Sequence, residues 1–366
     1  MTEVTIIQPY VPQYRLPFFN GLQRSLRERG VNLRVVAGEA DGEQAQRGDS
    51  AHAPWLEEVR SRGLRIGSRR LALTFTAPLW RHSDAVIVPH QGSSLDSLVA
   101  ISGRRPSRVG VWGHIASYTG PLNPLDGAVE RWQMRNAQHV FAYTPGGAEF
   151  ARVQGVPAER ITTVMNTIDT SGLEAALEHA TDERLAEFRS RHSIPDSPYL
   201  AYVGGLDSSK RIDLLAASLD ILHSRGSTAH VVVAGRGEQE HLLHPAATRG
   251  QVSLIGYSNV TTKGLLLKGS AAIVNPGRVG LIAVDALVAK KQLLTTFWPW
   301  HAPELDYLTP GVHVLFYPDS AESFADGLDE ILSISDTRSS TSWPPPPRMD
   351  QMVLNFSEGI SALLSS

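Results

Sequence analysis

Short apolar runs alternate with stretches of helical spacing along most of the chain. In the first half, six runs have the length of a buried strand: residues 4–7, 33–36, 85–88, 108–112, 140–143 and 161–164. Stretches with apolar residues three or four positions apart, typical of helices, lie between several of them. The alternation predicts a doubly wound α/β domain, in which a parallel sheet carries helices on both faces.

The same alternation restarts after a connector without strand patterns. Six further runs follow it: residues 199–203, 229–234, 252–255, 271–274, 293–296 and 312–316. We therefore predict two Rossmann-like domains that face a cleft, residues 1–170 on the acceptor side and residues 197–342 for the nucleotide, joined by the connector 171–196. Residues 343–366 combine a proline-rich linker with a terminal helix, which we expect to pack back on the first domain.

A glycine turn separates the apolar run 271–274 from a helical stretch. Strand, glycine turn and helix together direct free backbone N–H groups at an anion, and Gly277 and Gly280 would let a phosphate approach the backbone. Asp285 lies about 7 Å further along that helix, at 1.5 Å per residue. Its carboxylate could accept the hydroxyls of a ribose. The alternative is an ordinary turn with a solvated Asp.

The composition is that of an ordinary globular protein. A chain of 366 residues with 42% apolar and 19% charged residues favours two folded domains. The absence of cysteine excludes disulfides, thiolate nucleophiles and cysteine metal sites. No run approaches the ~20 apolar residues of a membrane span. The N-terminus enters a strand directly, so we expect no signal peptide and a cytoplasmic protein.

Charge is divided unevenly between the two halves. Residues 1–170 carry 19 Arg and no Lys against 15 acidic residues, a net charge of +4, whereas residues 171–366 carry a net −7. The densest basic patch is followed by apolar residues, and it could contact an anionic membrane surface at the inner membrane face. It could equally be a solvated face beside a core strand. The patch comprises Arg60, Arg62, Arg65, Arg69 and Arg70, followed by Leu71, Leu73, Phe75, Leu79 and Trp80.

Several motifs together resemble one enzyme family. Residues 203–211 read Val-Gly-Gly-Leu-Asp-Ser-Ser-Lys-Arg and resemble the phosphate loop of retaining GT-B glycosyltransferases of family 4. Further matches are spread over most of the chain at residues 112–114, 166–169, 234–237, 255–257 and 301–304. The resemblance implies a GT-B fold and a nucleotide-diphosphate sugar as donor substrate with no cofactor. It also implies transfer with retention at the anomeric carbon.

Two positions depart from that family's pattern. The family has two glutamates eight positions apart, and here they fall on Gly277 and Asp285. The usual arginine of the phosphate loop falls on Gly205, so either Arg211 or Arg278 could replace it, or both could be solvated. The sequence Pro-Gly-x-Val-Gly-Leu around the first site resembles a variant branch that includes surface-polysaccharide enzymes.

The resemblance also implies roles for individual residues. His114 is the catalytic candidate, because it could hydrogen-bond the sugar or the developing charge, although it could be a core histidine. Lys210 could pair with a diphosphate oxygen or lie at the surface, and Glu304 could hold sugar hydroxyls or cap a helix. The predicted diphosphate site is Lys210, Gly204, Gly205, Val279, Gly280 and Leu281; the ribose and nucleotide site is Asp285, Gly235 and Tyr257; the donor-sugar site is Gly277, Arg278 and Glu304; the acceptor side is Tyr10, Tyr14 and Arg15. Asn166 and Asp169 could be turn residues.

No metal site is predicted, because the chain has neither an Asp-x-Asp motif nor a histidine cluster with metal spacing. The leading hypothesis is a metal-independent glycosyltransferase that moves a sugar from a nucleotide-diphosphate sugar to a growing surface glycan or lipid-linked acceptor. Two alternatives remain open. One is a transferase acting on a soluble natural product, and the other is a catalytically silent nucleotide-sugar-binding partner protein. We predict no nucleic-acid partner.

Overall fold

The chain forms two compact units. The computed structural model describes residues 2–39, 50–60, 76–103, 108–116, 124–333 and 342–366, and the backbone alone of residues 62–66 and 69–73. Unit 1 comprises Met1–Asp169 together with Pro347–Ser366, and unit 2 comprises Thr170–Pro346. The sequence predicted as a connector, residues 171–196, belongs to unit 2.

Each unit is built on a sheet whose strands run parallel. In chain order the strands are β1 (Thr2–Gln8), β2 (Val31–Gly38), β3 (Leu56–Val59), β4 (Arg62–Ile66), β5 (Arg69–Leu73), β6 (Ala85–Pro89), β7 (Arg108–Gly113), β8 (His139–Ala142), β9 (Ile161–Thr163), β10 (Leu200–Val203), β11 (Val231–Ala234), β12 (Val252–Gly256), β13 (Ala272–Val274), β14 (Leu293–Thr296) and β15 (Val314–Tyr317). The sheet orders are β3-β2-β1-β6-β7-β8-β9 and β12-β11-β10-β13-β14-β15. The predicted fold class, two parallel-sheet α/β domains, is confirmed.

Helices fill the connections between the parallel strands. They are α1 (Leu16–Glu28), α2 (Ala77–Trp80), α3 (Leu95–Ser102), α4 (Pro124–Asn136), α5 (Pro145–Val153), α6 (Ser171–Glu178), α7 (Asp182–Arg191), α8 (Ile212–Ser224), α9 (His244–Thr248), α10 (Val260–Gly269), α11 (Ile282–Ala289), α12 (Ala321–Ser333) and α13 (Met349–Ser365). Within the described part of the chain, none of them has the length and hydropathy needed to cross a membrane.

The order of the strands fixes where each unit can bind a ligand. In unit 1 the chain first runs outward from β1 to β2 and β3, then returns to place β6 on the other side of β1. In unit 2 it does the same around β10, with β11 on one side and β13 on the other. At such a reversal the loops that follow neighbouring strands separate and leave a crevice at the carboxyl edge of the sheet.

The terminal helix α13 completes the core of unit 1. Phe356 is fully buried, stacks on Phe141 with ring centroids 4.6 Å apart, and contacts Trp112 edge-on at 4.8 Å. Two glycines allow the helix to approach closely: a Cβ on Gly359 would collide with the Phe141 ring, and one on Gly21 of α1 would collide with a valine of α13. Residues at the far end of the sequence are therefore part of the same core as β7 and β8.

The predicted basic patch falls largely on an antiparallel hairpin. Its strands β4 and β5 place Arg65 opposite Arg70 and Ile66 opposite Arg69. Their side chains, like all of Phe75, lie outside the described part of the chain. Trp80 is buried, so the structure removes it from the predicted membrane surface, and for the arginines that surface stays a prediction.

We expect Phe356→Ala to lower the free energy of unfolding of unit 1 by about 3–5 kcal/mol, the usual cost of a phenylalanine-sized cavity. Leu354→Ala on the same helix is the matched control, because that side chain is 42% exposed. Urea unfolding of each variant, followed by hydrogen exchange in each unit separately, measures the stability losses of both variants. Equal losses in the two variants, or a loss confined to unit 2, would contradict this packing of α13.

Candidate functional site

Two loops meet at the carboxyl edge of the sheet in unit 2. The β10 loop (residues 204–210) follows β10, and the β13 turn (residues 275–281) follows the neighbouring strand β13. Lys210 Nζ donates a 2.5 Å hydrogen bond to the Arg278 carbonyl oxygen. The N–H of Arg278 in turn donates to the Ser209 carbonyl oxygen at 2.8 Å. The two segments that the sequence assigned to one diphosphate site are therefore bonded to each other.

The β10 loop approaches two neighbouring segments closely, and each contact requires a glycine, Gly277 in the β13 turn and Gly235 after β11. The N–H of Gly277 donates to the Lys210 carbonyl oxygen at 3.1 Å, and a Cβ on Gly277 would collide with the backbone of Ser209 and Lys210. A Cβ on Gly235 would likewise collide with the Gly204 carbonyl oxygen. A glutamate side chain cannot stand at position 277 in this backbone. Any donor-sugar contact from Gly277 must come from its main chain.

Both backbone polar groups of Val279 form hydrogen bonds. Its N–H donates to His301 Nδ1 at 3.1 Å, and its carbonyl oxygen accepts from the Ala302 N–H at 2.7 Å. The Val279 N–H is therefore already bonded, and the diphosphate contact predicted for Val279 stays a prediction. The N–H groups of Gly280 and Leu281 form no hydrogen bond within the described residues, and they lie at the positive end of α11.

The two arginines proposed to replace the missing phosphate-loop arginine have different surroundings. Arg211 Nη1 lies 2.9 Å from each carboxylate oxygen of Asp319, and its guanidinium lies over the Trp298 ring at 4.9 Å. Arg278 Nε donates to the Trp300 carbonyl oxygen at 3.1 Å. Arg211 therefore forms a salt bridge with Asp319, whereas Arg278 lies in the β13 turn itself.

Asp285 lies inside unit 2. It is buried on α11 and forms a 2.8 Å ion pair with Lys263 of α10. Burial raises the pKa of the Asp285 carboxyl, and the nearby Lys263 ammonium acts in the opposite direction. The alternative reading of a solvated Asp is wrong. The ribose contact stays a prediction, and a ribose would have to share the carboxylate with Lys263. No local pattern in the sequence marks this pair, because its residues lie 22 positions apart on two helices.

Tyr257 and Glu304 lie in opposite environments. Tyr257 follows β12 and is 81% exposed, so its ring can be reached by a planar ligand such as a base. Glu304 is buried on the 3-10 turn Pro303–Tyr307.

Among the residues that the structure describes, no group of three His, Asp or Glu side chains is placed to hold a metal ion.

The carboxyl edge of unit 1 carries His114 on a strained backbone. His114 is partly exposed and contacts the Tyr143 ring edge-on at 4.9 Å. The next residue, Ile115, has a φ of +71°, which a β-branched side chain rarely adopts. Met165, with a φ of +59°, directly precedes the buried Asn166. Strain of this kind persists only where the surroundings hold it, and in the described part of unit 1 it occurs in the loops after β7 and β9.

The residues predicted for the acceptor side are not equally accessible. Tyr14 is 40% exposed and Tyr10 partly exposed, but Arg15 is only 5% exposed. The Arg15 guanidinium lies 5.2 to 5.4 Å from the ring centres of Tyr14, Trp112 and Tyr143. The sequence predicted an acceptor contact from Arg15, whereas the structure places its charge among aromatic rings inside unit 1.

Two further histidines of unit 1 have a lowered pKa, His139, which is buried, and His90, which is partly buried. His90 Nε2 lies 2.9 Å from the Glu130 carbonyl oxygen, and burial lowers the pKa of His90 to about 4. His139 Nε2 lies 2.8 Å from Thr162 Oγ1, and burial, with the charge of Arg160, lowers its pKa to about 4. Neither was singled out in the sequence, since nothing local marks a histidine as buried.

Both halves of the chain match models of known domains. Residues 17–167 match the glycosyl transferase 4-like domain, and residues 184–342 match the glycosyl transferases group 1 domain. One curated relative is the alpha-D-kanosaminyltransferase of Streptomyces kanamyceticus, which is 24% identical over 180 residues. That match covers 47% of this chain and 46% of the relative, so the chain spans about half the length of the curated relative that it matches.

Solved structures with the same fold cover the whole chain. Anabaena Alr3699/HepE in complex with UDP and glucose is 12% identical, with a TM-score of 0.63 over 100% of both chains. The lipopolysaccharide outer core galactosyltransferase WaaB, in its apo form, is 13% identical, with a TM-score of 0.62 over 98% of this chain and 99% of that one. At these identities the likeness shows a shared fold, the GT-B arrangement.

Unit 1 should lose stability in acid because of its buried histidines. The unfolded chain protonates each near pH 6.5 and the folded chain only near pH 4, so stability falls as pH drops through that window. At pH 5 we expect a loss of about 2 kcal/mol per histidine relative to pH 7.5. Urea unfolding at both pH values measures this loss of free energy of unfolding. We expect His139→Gln to lose roughly half as much as wild type, and the exposed His82→Gln to lose as much as wild type. A loss unchanged by His139→Gln would contradict the assignment.

Proposed function

This chain belongs to the glycosyltransferases of GT-B fold by both of its domains, and we propose that it transfers a glycosyl group from a nucleotide-diphosphate sugar. The observation that carries the proposal is the bonded pair of loops in unit 2, where Lys210 lies against the β13 turn just ahead of α11. Positive charge and free N–H groups at one point suit a diphosphate.

The proposed chemistry requires stabilisation of the leaving diphosphate. As the glycosidic bond breaks, negative charge accumulates on the diphosphate and the sugar acquires oxocarbenium character. Lys210, Arg278 and the N–H groups of Gly280 and Leu281 would offset that charge. We propose that these groups suffice without a metal ion. Retention at the anomeric carbon is proposed from the family resemblance.

We propose a glycan acceptor attached to a lipid. The support is an exposed face of α4 in the basic half of the chain, where Leu125 is 62% exposed and Trp132, seven positions on, is 36% exposed. Arg131 and Arg135 are exposed beside them. Apolar, aromatic and basic side chains on one helix face suit the surface of an anionic membrane. WaaB, which has the same fold, is a lipopolysaccharide outer core galactosyltransferase.

A second candidate is a transferase that acts on a soluble natural product, and the similarity to an alpha-D-kanosaminyltransferase is compatible with it. Product formation decides between the candidates when the protein is incubated with a panel of nucleotide sugars and either soluble or lipid-linked acceptors. The assay is run with and without EDTA, and the anomeric configuration of the product is read by NMR. Tight nucleotide-sugar binding without any product would favour a silent binding protein instead.

Lys210→Ala should weaken binding of the preferred nucleoside diphosphate by about 1.5–3 kcal/mol, the scale of a charge-assisted hydrogen bond. Calorimetry with UDP, ADP, GDP and dTDP identifies the ligand and measures the loss. Lys268→Ala is the control, because Lys268 is exposed on α10. Unchanged affinity in a folded Lys210→Ala protein would remove Lys210 from the site.

His114→Ala should lower kcat and kcat/KM together, while nucleotide affinity changes little. This pattern is expected of a group that acts mainly in the transition state. Steady-state kinetics and calorimetry give the two readouts, with the exposed His82→Ala as control. A variant that loses only thermal stability would identify His114 as a structural histidine.

A further inference from the structure

His301 joins the β13 turn to the segment that follows β14. Its Nδ1 accepts the Val279 N–H at 3.1 Å, and its Nε2 lies 3.0 Å from the Thr296 carbonyl oxygen. The ring also contacts Phe316 of β15 edge-on at 6.1 Å. Contacts from the β13 turn, β14 and β15 therefore fix both the position of the imidazole and its rotation.

The two hydrogen bonds define one protonation state of the ring. A carbonyl oxygen can only accept, so Nε2 must carry the proton, and a backbone N–H can only donate, so Nδ1 must be bare. An imidazolium would place a second proton between Nδ1 and the Val279 N–H. Burial lowers the pKa of His301, and the charges of Lys210 on the β10 loop and Arg278 on the β13 turn lower it further. The neutral ring is the form that this site holds.

The bond from Val279 bears on the neighbouring donors. Val279 immediately precedes Gly280 and Leu281, the residues whose N–H groups lead into α11. With its N–H held by His301 and its carbonyl held by Ala302, the Val279 peptide units cannot rotate freely. The Gly280 N–H lies in the same planar peptide unit as the Val279 carbonyl, which Ala302 holds. That unit shares the Val279 Cα with the unit that His301 holds, so both bonds orient the Gly280 N–H.

We propose that His301 is a positioning residue for the donor diphosphate: by accepting the Val279 N–H, it holds the β13 turn so that Gly280 and Leu281 direct their N–H groups at the phosphates. This inference rests on the proposed function. His301 does not itself touch the ligand. It acts through the backbone, in a chain whose Gly277 leaves no side chain at the position where the family has a glutamate.

Two substitutions separate the two bonds of the imidazole. In His301→Asn the amide oxygen can take the place of Nδ1 and accept the Val279 N–H, whereas in His301→Gln the amide nitrogen can take the place of Nε2 and keep only the Thr296 bond. Affinity is measured by calorimetry for the nucleoside diphosphate that wild type binds best among UDP, ADP, GDP and dTDP, and for the matching nucleoside.

His313→Gln is a matched control from the same unit. Its Nδ1 also accepts a backbone N–H, that of Thr309 at 3.2 Å, and its Nε2 lies 2.9 Å from the Ser342 carbonyl oxygen. It directly precedes β15, at the amino end of that strand, whereas the β10 loop and β13 turn lie at the carboxyl edge. A purely structural histidine bond should therefore cost this control stability and leave diphosphate affinity within about twofold.

We expect His301→Gln to lose diphosphate affinity about tenfold and nucleoside affinity hardly at all, with His301→Asn retaining most of the diphosphate affinity, since one backbone hydrogen bond is at stake. Equal affinities in wild type, Asn and Gln proteins would overturn the inference. So would a loss shared by diphosphate and nucleoside. If wild type binds none of the four diphosphates, the proposed function fails instead.

A second comparison covers the case in which His301→Gln does not fold. His301→Asn keeps an acceptor for the Val279 N–H, so its ratio of diphosphate to nucleoside affinity should stay within about threefold of the wild-type ratio. A tenfold fall of that ratio in a folded His301→Asn protein would contradict the proposed role.

Discussion

The close backbone approach between the β10 loop and the β13 turn is the constraint on which the rest of the site in unit 2 depends. It exists because Gly277 has no side chain, so that its N–H can reach the Lys210 carbonyl oxygen and Lys210 Nζ can reach the Arg278 carbonyl oxygen. The same packing excludes a glutamate at position 277. The site therefore lacks the glutamate that the family has at this position. In its place is a backbone contact that brings Lys210 close to the start of α11.

Around that junction, charged side chains fall into two groups. Arg211 pairs with Asp319 and Lys263 pairs with Asp285, and each ion pair links two neighbouring elements. The Lys263–Asp285 pair, whose carboxylate is buried, is costly to break, because removing Lys263 would leave that charge uncompensated. Lys210 and Arg278 instead bond backbone carbonyl oxygens. Their positive charges lie where the β10 loop meets the start of α11, the position proposed for the diphosphate.

In unit 1 the carboxyl edge of the sheet is built from strained loops that rest on aromatic packing. There the backbone is strained at Ile115 and Met165, and the buried Arg15 is surrounded by aromatic rings. The terminal helix α13 contributes Phe356 to the same core, against the Trp112 ring that Arg15 covers. The strain that presents His114 is thus supported by packing from both ends of the chain, since the strained loops would otherwise relax.

The sequence by itself determined the alternation of strands and helices, the two α/β domains and the glycine turn ahead of α11, because apolar periodicity and glycine placement are local properties of the chain. Whether a polar side chain is free or bonded depends on partners far away in sequence. Lys263 meets Asp285, Arg211 meets Asp319, and His301 takes the Val279 N–H only after the sheet has brought their strands and helices together. Tertiary structure alone could therefore show that Arg15 is buried and that Asp285 is paired, since burial and pairing arise from long-range packing that no local pattern records.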